Sequence, residues 1–144
     1  MRAGLAVAPG TTRLLRGASE SLAPAFEALV VALLTRPRGR RAGIEALLAG
    51  ATASTVARCA RDAIARPRPG PRSEGGFPSR HAAAAVAIAG AVARHQPRLR
   101  PWLVATTVAG LAGRVVNGHH EPGDIAGGAL LGWSVDRLVA RASR

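Results

Sequence analysis

The chain has 144 residues, a formal net charge of +12, 48% apolar residues and 3% aromatics. That is the length of one domain, with enough apolar material for a core. The single Cys59 excludes an internal disulfide and a thiolate metal site. So few aromatics speak against a nucleic-acid surface, which needs stacking rings among its charges. Histidines aside, every basic residue is arginine, and there is no lysine. A GC-rich codon bias explains that, so an arginine by itself is no sign of function.

Taken in order, residues 1–18 carry Arg2, Arg13 and Arg16 among glycine and proline and read as a loose basic arm. Their opening apolar run is too short for a signal peptide. A single helical domain is expected over 19–144. Its first apolar segment, Ser19 to Thr35, is interrupted by Glu20 and Glu27 and followed by the basic turn Arg36 to Arg41. Ala42 to Ile64, rich in alanine and leucine and free of proline, reads as the second helix. Pro67 to Pro78 is a loop by its proline and glycine content. Ser79 is placed to cap a third helix, His81 to Arg94. A basic turn, Arg94 to Pro101, precedes a fourth helix from about Trp102 to Val116. Asp124 is placed to cap a fifth, Ile125 to about Ala140. No strand alternation or long repeat is present. The fold class expected is all-α, a bundle of about five helices.

A membrane span needs roughly 20 mainly apolar residues. The longest uncharged stretches, such as Ala82 to Ala93 and Pro101 to Gly113, fall short of that. Arginines at helix ends can snorkel to the interface, however. Alternation through five helices puts Arg36–Arg41, Arg94–Arg100 and the tail with Arg137, Arg141 and Arg144 on one side, with only Asp136 nearby. The positive-inside rule makes that side cytoplasmic. The arm, the Pro67 to Pro78 loop and the Gly113 to Asp124 turn then share the outer face. A soluble helical bundle with arginine-rich turns accounts for the same pattern and stays open at this point.

Three polar clusters fall on that shared face. Arg61 and Arg68 lie seven residues apart, which is two turns on one helix face if the helix persists. A basic helix end complementing the dipole explains them equally. Phe77-Pro-Ser79-Arg80-His81 opens a helix whose free N–H groups can receive an anion, with Ser79 and His81 offering a hydroxyl and a proton donor. A plain serine cap explains Ser79 but not His81. Gly113 to Asp124 holds Arg114, able to fork a phosphoryl oxygen, and His120, a nucleophile or base near neutral pH. Asp124, four residues on, can orient that histidine. A polar turn with capping histidines accounts for the same stretch. Taken together, the arginines, the helix start, two histidines and an acid suit phosphoryl transfer. His119-His120 is adjacent rather than at helical ligand spacing, and no metal site is expected.

In these residues the chain resembles the type 2 phosphatidic acid phosphatase superfamily, which also holds bacterial acid phosphatases and vanadium haloperoxidases. That family's signature reads lysine, six residues, Arg-Pro; then Pro-Ser-Gly-His; then Ser-Arg, five residues, His, three residues, Asp. Here six residues lie between Arg61 and Arg68-Pro69, Pro78-Ser79-Arg80-His81 follows, and Gly113-Arg114 leads to His120 and Asp124. The resemblance covers about Arg61 to Gly132. It implies a membrane-embedded phosphatase acting on a lipid-linked phosphate or diphosphate, without metal or other cofactor and without nucleic acid as a partner. By the same resemblance His120 attacks phosphorus and forms a phosphohistidine, Asp124 holds it, and His81 protonates the leaving alkoxide. Arg61, Arg68 and Arg114 bind the phosphoryl oxygens, with Ser79 helping. The implied location is a cell membrane crossed several times, with the site on the outer side. Three positions depart from the signature: Arg61 for lysine, Arg80 for glycine and Gly113 for serine. Arg80 is strained if its backbone needs a positive φ, and otherwise adds a phosphate contact. Such departures admit a catalytically silent lipid-phosphate binder as an alternative. A vanadate-dependent haloperoxidase is a further one, although those chains are usually much longer.

Overall fold

The computed structural model describes residues 9–64 and 76–143. Five helices run α1 Pro9–Leu34, α2 Arg40–Ile64, α3 Arg80–His95, α4 Arg100–Val116 and α5 Pro122–Ala142, with a 3-10 turn Pro97–Leu99 before α4. The described residues contain no strand. The all-α bundle is therefore as expected. One correction concerns the amino-terminal arm. From Pro9 onward it is not loose but belongs to α1, which continues through Pro24. Residues 1–8 and 65–75, which include the first part of that arm and most of the proline-rich loop, lie outside the described residues.

Helix α3 is the hub, packing against α2 and α5 most heavily and against α4 and α1 as well. Alanine makes this possible. Ala42, Ala46, Ala49, Ala53 and Ala57 recur at helical spacing on α2 and are all buried, facing a helix whose own Ala82, Ala83, Ala85, Ala87 and Ala91 are buried. Side chains of one carbon let two helix backbones approach closely. Helix α1 contributes larger groups at the same kind of spacing, Leu22, Phe26, Val30 and Leu33. It lies against α4.

The large apolar side chains mostly face outward. Leu47 and Leu48 of α2 are 52% exposed, and Val108, Leu130 and Leu138 are more exposed still. Small residues inside and large apolar residues outside reverse the usual order of a water-soluble bundle. Among the described residues one helix, Gly10–Leu34, is long and apolar enough by length and composition to cross a membrane.

The two ends of the bundle differ in chemistry. At one end the carboxy terminus of α4 and the amino termini of α3 and α5 meet, where the Ser79 N–H donates to the Asp124 carbonyl at 3.0 Å. At the other end the buried Glu45 of α2 accepts from Arg41 Nε at 3.3 Å and from Arg94 Nη2 at 3.4 Å, and lies 2.9 Å from His95 Nε2. Arg94 also pairs with the buried Asp136 of α5. Arg41 Nη2 donates to the Ser143 carbonyl at 3.0 Å. Two buried acids are thus paired with arginines, Glu45 with a histidine nitrogen as well, and three helices are tied at this end.

Candidate active site

The third cluster is built by the way α4 stops. Gly118 takes a left-handed φ of 67°, which glycine adopts without steric cost. Its N–H then donates to the Val115 carbonyl at 3.0 Å, and the His119 N–H donates to the Arg114 carbonyl at 2.9 Å. This is a Schellman ending. It reverses the chain sharply and brings the His120 N–H to the same Arg114 carbonyl at 3.3 Å. His120 therefore sits directly over the last turn of α4, next to Arg114.

Helix α5 starts earlier than expected. Its cap is Glu121 and not Asp124. Asp124 lies in the first turn, and its Oδ2 accepts from the Glu121 N–H at 3.0 Å. The carboxylate reaches back along the helix and also stands 3.5 Å from His120 Nδ1. Both side chains are buried. On the opposite edge of the ring, His120 Nε2 is 3.3 Å from Ser79 Oγ. Ser79 is the cap of α3, as expected, its oxygen accepting from the Ala82 N–H at 3.4 Å. A carboxylate beside Nδ1 favours the tautomer with its proton there, which leaves Nε2 as the basic nitrogen. That nitrogen faces the amino terminus of α3, and a helix start favours an anion.

Gly127, Gly128 and Gly132 of α5 set the distance between these two clusters. A Cβ at Gly128 would collide with the Ser79 carbonyl, one at Gly132 with the Ala83 carbonyl, and one at Gly127 with the Phe77 ring. Without side chains, α5 lies directly on the backbone of α3.

The other expected residues are placed less uniformly. His81 is half-buried in the first turn of α3 and lines a cavity between α3 and α1. Arg80 is the first helical residue of α3, so its backbone is right-handed and no strain arises there. Arg61 lies in the last turn of α2, with Nε 3.7 Å from its neighbour Asp62. Arg68 lies outside the described residues. Among the described residues no group of three or more histidine, cysteine, aspartate or glutamate side chains is arranged to hold a metal ion.

Gly113 departs from the signature for a reason visible in the packing. A Cβ there would collide with the Leu15 carbonyl and come within 2.9 Å of Ser19 Cβ, both on α1. A serine would push α1 away from α4. Gly113→Ser, which restores the family residue, should therefore destabilise the protein by about 1–3 kcal/mol. A lower thermal midpoint in detergent would show this; an unchanged or higher one would mean that α1 can yield.

Comparison with known proteins gives two findings. The family model for the PAP2 superfamily matches residues 42–144. The structure is similar to a solved one described as the first transmembrane PAP2 type phosphatidylglycerolphosphate phosphatase, from Bacillus subtilis. The TM-score is 0.72 at 22% identity, over 96% of this chain and 79% of that one. No curated protein matches this chain. At that identity the structural likeness speaks for the fold.

Proposed function

The chain belongs to the PAP2 superfamily, and from that premise we propose that it is a membrane phosphatase that removes phosphate from a lipid-linked phosphate through a phosphohistidine. The observation that carries the reading is the line Asp124, His120, Ser79, with the imidazole between a buried carboxylate and a helix amino terminus.

In this reading the terminal phosphoryl group rests over the amino terminus of α3, against the Ser79 hydroxyl. Arg114, Arg61, Arg68 and Arg80 spread its charge. His120 Nε2 attacks phosphorus and the P–O bond to the leaving oxygen breaks. His81 gives that oxygen its proton. Asp124 keeps the Nδ1 proton in place and balances the cationic phosphoimidazole. Water then cleaves the P–N bond, releasing phosphate and restoring the imidazole. No step requires a metal.

Membrane embedding is supported by the outward-facing Leu47, Leu48, Leu130 and Leu138 and by the Gly10–Leu34 helix. By the positive-inside rule the arginine-rich turns support a cytoplasmic Glu45 end and an outer His120 end. The site then opens toward the outer leaflet.

The test is phosphate release by the purified full chain from a panel of glycerolipid and polyprenyl phosphates in detergent, with chelator present. Release that persists with chelator is expected. A folded protein that binds these lipids but releases nothing would instead make it a silent binder.

A further inference from the structure

Beside the phosphoryl site lies a half-open cavity of about 100 Å³ between α1 and α3. Its wall begins at His81 and continues along Ala84 and Ile88 on α3, with Leu22 and Phe26 opposite on α1. The lining is apolar but for His81 and one acid, Glu27. Glu27 sits within the helix that is apolar enough to span a membrane. Its side chain is exposed, like that of Glu20, and among the described residues it has no ion-pair partner. An acid within such a span marks a path for a polar group by default, because a carboxylate there is costly. Helix α1 also lies outside the residues that the family model matches. The cavity is thus walled by α3 of the matched region and by α1 outside it.

We propose that this cavity receives the leaving group and that Glu27 makes the enzyme selective for lipid monophosphates over diphosphates. The inference rests on the phosphatase reading, in which His81 faces the leaving oxygen. When a monophosphate is cleaved, the P–O bond breaks, His81 supplies a proton, and the departing molecule is a neutral alcohol. When a diphosphate is cleaved at its terminal phosphorus, the departing molecule is a lipid monophosphate that still carries negative charge. That charge must sit on the His81 side of the phosphoryl group, toward the cavity Glu27 lines. His81 and Ile88 are separated by a helix rise of on the order of 10 Å, which sets the scale of the approach. At that range, two like charges in a partly screened protein environment discriminate by roughly ten- to twentyfold. A neutral alcohol meets no such repulsion.

The test uses the purified full chain and two lipids with the same hydrocarbon chain, one a monophosphate and one a diphosphate. Initial rates give the ratio of their kcat/KM values. The parent should favour the monophosphate, and Glu27→Gln should move the ratio toward the diphosphate by roughly tenfold. Glu27→Asp should keep most of the preference. Glu20→Gln, which removes an exposed acid of α1 outside this cavity, should not move the ratio. A parent that takes the diphosphate equally well, or a ratio unmoved in Glu27→Gln, overturns the proposal while the phosphatase reading stands. An equal shift in Glu20→Gln overturns it too, since overall charge then accounts for the effect. Release of phosphate from neither lipid removes the phosphatase reading and this inference with it.

Discussion

Replacing His120 with alanine should lower phosphate release by at least about 10⁴-fold, the scale of losing a nucleophile while the charge-stabilising groups remain. The argument is geometric. Nε2 is the atom aimed at the amino terminus of α3, and Asp124 holds the other nitrogen. The side chain is buried, so its removal also costs some stability. Circular dichroism and gel filtration of the variant would separate loss of chemistry from loss of fold. His120→Gln keeps more of the volume and should be equally inactive. Turnover within tenfold of the parent, in a folded variant, would put the nucleophile elsewhere.

The second large effect is expected at the other end of the bundle. Arg94→Met should destabilise the protein by about 3–5 kcal/mol, the range for stripping one partner from a buried ion pair. Arg94 bridges Glu45 and Asp136, and both acids are buried. Methionine preserves much of the stem's packing but leaves Asp136 against Gly90, where a Cβ would already collide with the carboxylate. Only Arg41 and His95 would remain on Glu45. A thermal midpoint lower by about 10 °C in detergent is expected for a chain of this length. Arg94→Met combined with Glu45→Gln and Asp136→Asn should recover much of the loss. A single variant as stable as the parent would mean that water reaches these acids.

Much of this was legible in the sequence because its signals are local. The spacing from Arg114 to His120 to Asp124, the Ser79 cap and the alanine runs each depend on residues close in the chain. The helix order followed from proline and glycine punctuation. What was not legible depends on partners far apart. Glu45 and Arg94 are separated by 49 residues, and Arg94 and Asp136 by 42. The reason for glycine at 113 required knowing that α1 lies against α4. The start of α1 at Pro9 was hidden by scattered arginines and by Pro24, which the helix absorbs. An aspartate carboxylate can serve from the cap or from the first turn, so residue type alone does not separate Glu121 from Asp124 as the boundary of α5.

The glycine contacts of α5 with α3 have a consequence for how specificity can change. The spacing between Ser79 and His120 rests on backbone touching backbone at Gly128 and Gly132, so it does not drift as side chains elsewhere are exchanged. In the proposed reading the reacting atoms are anchored in one part, and α1 supplies part of the wall toward the rest of the substrate. Such a division allows the first helix to be swapped as a cartridge. A grafted segment would keep its backbone near Gly113 at the register of Leu15, would keep the buried Leu22 and Phe26, and could vary at exposed positions such as Glu27. New selectivity would then arise without rebuilding the chemistry.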